Sequence, residues 1–144
     1  MEDRRFICDL KSHRMIQFLV NRYPDSKSII SLYEKAQLIR PVADEERIAK
    51  MFVHSNLIIS AWDGLRLVGL LRALTDQCYA CYIPDVAVDP EYRGRGIGLK
   101  MLQLVSDHLG PEVTLITWGR EKEDLWKRMG MLESTDCYSY PRMR

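Results

Sequence analysis

The run Val86-Ala87-Val88-Asp89-Pro90-Glu91-Tyr92-Arg93-Gly94-Arg95-Gly96-Ile97-Gly98 sets three alternate glycines and two arginines between an apolar, branched stretch and a helix-forming one. Glycines let the backbone approach a ligand closely and take φ values that other residues avoid. The first amides of a helix lack internal partners and lie at the positive end of its dipole, so they suit phosphate oxygens. Arg93 and Arg95 add charge beside those donors. Together these residue types make a cradle for a pyrophosphate.

The spacing narrows which cradle it is. A Walker loop needs Lys and then Ser or Thr after its last glycine, whereas Leu99 and Lys100 follow Gly98. The dinucleotide fingerprint G-x-G-x-x-G is also missed, because these glycines read G-x-G-x-G. ATP and NAD are therefore disfavoured. Elsewhere, Cys78 and Cys81 spell C-x-x-C, yet no second pair or histidine stands at metal-ligand spacing. In an extended strand those two cysteines face opposite sides, so they read as ordinary half-buried thiols and no metal is expected. His13, His54 and His108 are scattered.

The elements that must position the cradle follow from periodicity. His13 to Tyr23 reads as a strand, rich in aromatic and branched residues. Pro24 stops it, and Asp25 can cap a helix over 26–37 whose Ile29, Leu32, Tyr33 and Ala36 fall on one face. A second helix after Pro41 has Asp44 as its cap, with Ile48, Met51 and Phe52 facing inward. Two apolar runs, 57–62 and 65–74, flank Asp63-Gly64, a strong hairpin signal. A third strand, 78–88, completes an antiparallel meander and runs into the glycine turn. There follow a helix from Leu99 to Leu109 with Met101, Leu102 and Val105 on one face, a strand over 113–118, an exposed helix over 120–129, and a last strand within 131–141. The order β-α-α-β-β-β-α-β-α-β predicts a single α/β (α+β) domain over residues 1–144, with a central mixed, mostly antiparallel sheet flanked by helices. Residues 1–12 read as a short irregular arm.

Composition agrees with that class. The 144 residues are 47% hydrophobic and 28% charged, a globular balance. Lys and Arg number 21 against 20 Asp and Glu, without the basic excess on which nucleic-acid binding rests. No apolar run approaches the ~20 residues of a membrane span, and the charged first residues do not resemble a signal peptide. The expectation is a cytoplasmic protein with reduced thiols, binding neither nucleic acid nor membrane.

The segment Arg93-Gly94-Arg95-Gly96-Ile97-Gly98, preceded by Val88-Asp89-Pro90, resembles the acetyl-CoA signature of the GNAT superfamily of acetyltransferases. That signature is Gln or Arg, two residues, Gly, one residue, then Gly or Ala. The order of elements from about His13 to Pro141 is also similar to that family's. The resemblance implies an N-acetyltransferase that moves acetyl from acetyl-CoA to a primary amine by direct attack in a ternary complex. It implies that backbone groups of Val86, Ala87 and Val88 meet the pantetheine arm, and that the amides from Arg95 to Gly98, with Arg93 and Gly94, hold the pyrophosphate. It further implies that the strand over 78–88 and the next one splay apart. Pro84 independently fits a bulge or an edge there.

Such chemistry needs a donor for the thioester oxygen, a base for the amine and an acid for the leaving thiolate. The N–H of Val86 or of its neighbour is the expected donor. Asp85 and Glu91 are the nearby carboxylates, and Asp85, directly or through water, is the expected base, although strand alternation puts it on the face opposite Val86 and Val88. The family's acid is a tyrosine in the last helix, a position filled here by Trp126, whose indole is too weak an acid. Tyr138, Tyr140 or water would serve instead, or the thiolate leaves unassisted. Tyr79 and Tyr82 could line an acceptor pocket or simply pack. A domain that binds acyl-CoA without catalysis, as a sensor or interaction module, stays open as an alternative. The final strand could support a homodimer.

Overall fold

Strands β1 (Arg5–Cys8), β2 (Met15–Val20), β3 (Leu57–Asp63), β4 (Arg66–Thr75), β5 (Ala80–Val88) and β6 (Thr114–Thr117) lie side by side in chain order in one sheet. The computed structural model describes the backbone of Arg5–Cys8 and residues 15–143. Neighbours from β1 to β5 pair antiparallel, and β6 joins β5 in parallel. A parallel pair needs a crossover, which helix α3 (Ile97–Leu109) supplies. Helices α1 (Ser26–Lys35) and α2 (Glu45–Val53) cover the opposite face, and the short α4 (Glu123–Arg128) packs Leu125, Trp126 and Met129 beside α3.

Both faces of the central strands are thus covered, so β3 and β4 are apolar on both sides rather than alternating. Phe18, Ile59, Leu71, Ile83, Met101 and Val105 form the core under α3. Ile29, Leu32, Tyr33, Ile48, Phe52 and Leu70 form the core under α1 and α2. The expected caps are present: Asp25 accepts from Ser28 N–H at 2.9 Å and Asp44 from Arg47 N–H at 2.9 Å. Each satisfies one amide that the helix itself leaves open.

Two local features place the glycine turn. Gly69 of β4 has no room for a side chain, since a Cβ there would lie 2.9 Å from Ile97 Cγ2 and 3.1 Å from Ala61 Cβ. The first turn of α3 therefore sits directly on the sheet. The second feature is a bulge in β5. Arg72 pairs with Asp85 but Leu74 with Tyr82, so β5 carries one extra residue beside Pro84. The bulge shifts side-chain parity: Cys81 and Ile83 face α3 before it, and Val86 and Val88 face α3 after it.

Several expectations are corrected. A strand occupies Arg5–Cys8, inside the stretch read as an irregular arm; the remainder of that arm, and His13, lie outside the described residues. The β3–β4 turn is Gly64-Leu65, one residue later than Asp63-Gly64, because Asp63 pairs with Arg66 and only Gly64 takes a positive φ. The last strand is absent: residues 131–143 are irregular and mostly exposed, so among the described residues β6 is a sheet edge. Strand propensity without a pairing partner makes no strand. The basis for a homodimer on that strand goes with it.

Candidate active site

β5 and β6 part company half-way. Their pairing runs from Ala80↔Thr114 to Ile83↔Thr117, where Thr117 Oγ1 donates to Ile83 carbonyl at 2.8 Å. β6 ends there, while β5 continues to Val88 with its outer edge unpaired among the described residues. The result is a slot whose wall is the backbone of Pro84 to Val88.

Three cationic side chains line that wall. Arg40 Nη2 donates to Pro84 carbonyl at 2.6 Å, Lys122 Nζ donates to Val86 carbonyl, and Arg93 Nε donates to Val88 carbonyl at 3.3 Å. They come from the α1–α2 loop, the residue capping α4, and the glycine turn. The carbonyls of Val86 and Val88 therefore both face the slot. In an antiparallel ladder a residue that turns its carbonyl away from its partner turns its N–H the same way, so Val86 N–H faces the slot too.

Asp85 lies on the other side of β5 and is fully buried. Its Oδ1 accepts from Arg40 Nε at 2.5 Å, and its Oδ2 from Arg72 Nε at 2.6 Å and Tyr33 Oη at 2.8 Å. Burial, then the Asp85 charge, push the Tyr33 phenol well above its ordinary pKa, so it stays a donor. This cluster pins the Pro84 bulge to α1 and β4. Lys122 is half-buried, and desolvation lowers its pKa from the usual lysine value.

At the far end of the slot the chain turns through Pro90–Tyr92 into α3. Asp89 is buried, accepts from Glu91 N–H at 3.0 Å and pairs with Arg66 at 2.8 Å. The guanidinium groups of Arg66 and Arg95 lie over the Tyr92 ring, 5.2 and 4.9 Å from its centre. Arg95 also donates to Glu91 carbonyl at 2.9 Å. Gly94 and Gly96 have φ of +74° and +79°, and a Cβ on either would meet nothing within 4 Å. They are glycines for the backbone path, and open space lies beside them. Gly96 caps α3 without a side chain, and Lys100 N–H is bonded to Gly96 carbonyl at 2.9 Å, the first intrahelical bond of the helix. The earlier amides are thereby left for an outside acceptor. A diphosphate fits this donor set, and the unpaired edge leading to it fits an extended amide-bearing chain.

The sequence profile of the Acetyltransferase (GNAT) family matches residues 14–132. The chain belongs to the GNAT acetyltransferase family. An uncharacterized N-acetyltransferase, ycf52, of Porphyra purpurea is 30% identical over 135 residues, covering 83% of this chain and 78% of its own. A probable acetyltransferase of Staphylococcus aureus shares the fold with TM-score 0.75 at 16% identity, over 88% of this chain and 98% of its own. An aminoglycoside N-acetyltransferase solved with CoA shares it with TM-score 0.66 at 12% identity, over 90% and 95%. The class of enzyme is thus an N-acetyltransferase.

Within this GNAT fold the expected residues fall in two groups. The backbone of Val86 and Val88 leads in chain order through Arg93, Gly94, Arg95 and Gly96 into α3, where Ile97 is buried and Gly98 packs against Leu125. Ala87 adds backbone only, since its side chain packs towards α1 and α2. Tyr138 and Tyr140 are not brought to the path; both are about 95% exposed in the C-terminal segment (95% and 96%). Trp126 is a strut, its Nε1 donating to Gly119 carbonyl at 3.0 Å. Cys81 is buried, its thiol pushed up to about 11 by desolvation, while Cys78 is exposed. Among the described residues no His/Cys/Asp/Glu group is placed to hold a metal, and no helix is long and apolar enough to cross a membrane. Sequence reading missed Arg40 and Lys122. Neither sits in a motif, and they reach β5 from 44 and 36 residues away.

Proposed function

We propose that this chain transfers the acetyl group of acetyl-CoA to a primary amine by direct attack in a ternary complex. The observation that carries this reading is the continuity of the unpaired Pro84–Val88 edge with the uncapped start of α3. Acetyl-CoA, bound there, supplies an activated thioester carbonyl. The Val86 and Val88 backbone pairs with the pantetheine arm as if with an added strand. The amides from Arg95 to Gly98 take the pyrophosphate, and Arg93 balances its charge. Val86 N–H stabilises charge developing on the thioester oxygen, a term commonly worth about 3–4 kcal/mol.

Asp85 is assigned to holding this wall in place, since Arg40, Arg72 and Tyr33 all converge on its buried carboxylate. Glu91 is paired with Arg66 at 2.6 Å. With both carboxylates so engaged, the acceptor amine sheds its proton to water. An amine of pKa near ~10 is mostly protonated at neutral pH, so turnover should rise with pH until the amine is neutral. Relatives bear amine-directed names, among them a thialysine N-epsilon-acetyltransferase of Sus scrofa, 29% identical over 69 residues. Four cysteines in 144 residues are too few for a secreted disulfide framework, which supports a cytoplasmic setting.

A panel of primary amines with acetyl-CoA, read by release of free CoA, tests the proposal. Amine-dependent release supports it. Binding of acetyl-CoA with no release across the panel would instead favour the non-catalytic sensor.

A further inference from the structure

We propose that the Lys122 ammonium is the group beside which the CoA thiolate departs and from which it takes its proton, an assignment that rests on the acetyl-CoA reading above. Lys122 caps α4 and lays its Nζ against Val86 carbonyl, in the middle of the slot. That carbonyl is the acceptor a pantetheine amide would take. Arrival of the cofactor therefore displaces the ammonium from Val86 and leaves it alongside the same stretch of β5, next to the thioester.

The groups facing Lys122 are balanced in charge. Glu121 precedes it, Asp85 lies behind the β5 wall, and Arg40 and Arg93 stand on either side along the slot. Desolvation is the largest influence on it and lowers its pKa, bringing the ammonium closer in acidity to a thiol. The other hydrogen donors named for this step are poorly placed: Trp126 Nε1 is committed to Gly119 carbonyl, and Tyr138 and Tyr140 stand in solvent.

The step balances. The amine nitrogen forms a bond to the thioester carbon as the C–S bond breaks, and the sulfur takes the electron pair. Lys122 Nζ gives the sulfur a proton and recovers one, through water, from the newly acylated nitrogen.

The test needs no knowledge of the acceptor. CoA itself is the probe: its thiol is titrated by ultraviolet thiolate absorbance in complexes with wild type, Lys122→Met and Lys122→Arg, with binding of CoA followed by calorimetry. A neighbouring cation lowers the pKa of an acidic group by about one unit or more, so the thiol bound to wild type should ionise at least about tenfold more readily than in the Met variant. The Arg variant, still cationic, should keep most of that shift. Equal titration in wild type and Lys122→Met, both binding CoA, overturns the proposal. If the Met variant does not fold, an Arg-variant complex titrating like free CoA overturns it as well. Failure of wild type to bind CoA would remove the acetyl-CoA reading itself, and this inference with it.

Discussion

Asp85 meets donors that come from 52, 45 and 13 residues away, namely Tyr33, Arg40 and Arg72. Its position directly before Val86 made it the nearest candidate base; its three converging partners support the anchoring role proposed for it. Asp85→Asn would leave two guanidinium groups facing a neutral amide in a buried site. Such a broken pair costs about 3–5 kcal/mol, readable by urea unfolding. A variant of unchanged stability but abolished acetyl transfer would restore the role of base. Tyr33→Phe should cost about 1.5–3 kcal/mol, since it removes a hydrogen bond to a charged group. That difference depends on pH. Tyr33 is raised in the folded state, so its contribution is full below about pH 10, where the unfolded phenol is still protonated, and shrinks as the pH climbs further. At this scale the glycine turn was legible because its chemistry is local. Arg40, Lys122 and the Asp85 cluster were not, because only the folded chain brings them to one strand.

The elements that position the site are β4, β5 and α3. Gly69 lets α3 settle on β4, so Gly69→Ala drives a methyl into Ile97. Overpacking of this kind costs about 1–3 kcal/mol, and the melting temperature should fall accordingly. Because Ile97 begins the helix proposed to hold the pyrophosphate, CoA affinity should fall with it. Asp25→Ala should cost about 1 kcal/mol through loss of the α1 cap, measurable by denaturant unfolding. Hydrophobic period, caps and turn residues made most elements readable, and Pro84 marked the bulge without needing the fold. Two readings failed for the same physical reason. The strand at Arg5–Cys8 exists because β2 offers it an edge, and residues 131–141 form no strand because β6 does not pair with them. Pairing is a property of the sheet, and a single stretch of sequence carries only half of it.

For the whole molecule, a formal net charge of +1 conceals a local field. Arg40, Lys122 and Arg93 are gathered along one strand edge that ends at an uncapped helix, with buried Asp85 as the counter-charge behind it. Composition excluded a general polyanion binder but could not show this concentration of cations. The GNAT fold accounts for the architecture, and the acceptor amine is a matter for the amine panel. The most direct test of the central claim is thermal unfolding of wild type and Gly96→Glu with and without acetyl-CoA. Gly96 has φ +79° and opens onto free space, so the glutamate adds backbone strain and a negative charge at the diphosphate position. Ligand at about 100 times its Kd should stabilise wild type by roughly 2.7 kcal/mol, a rise on the order of 5–10 °C for a domain of this size. The expected result is that rise in wild type and none in a folded Gly96→Glu variant; equal shifts in both, or no shift in wild type at millimolar ligand, would contradict the assignment of the slot and turn to acetyl-CoA.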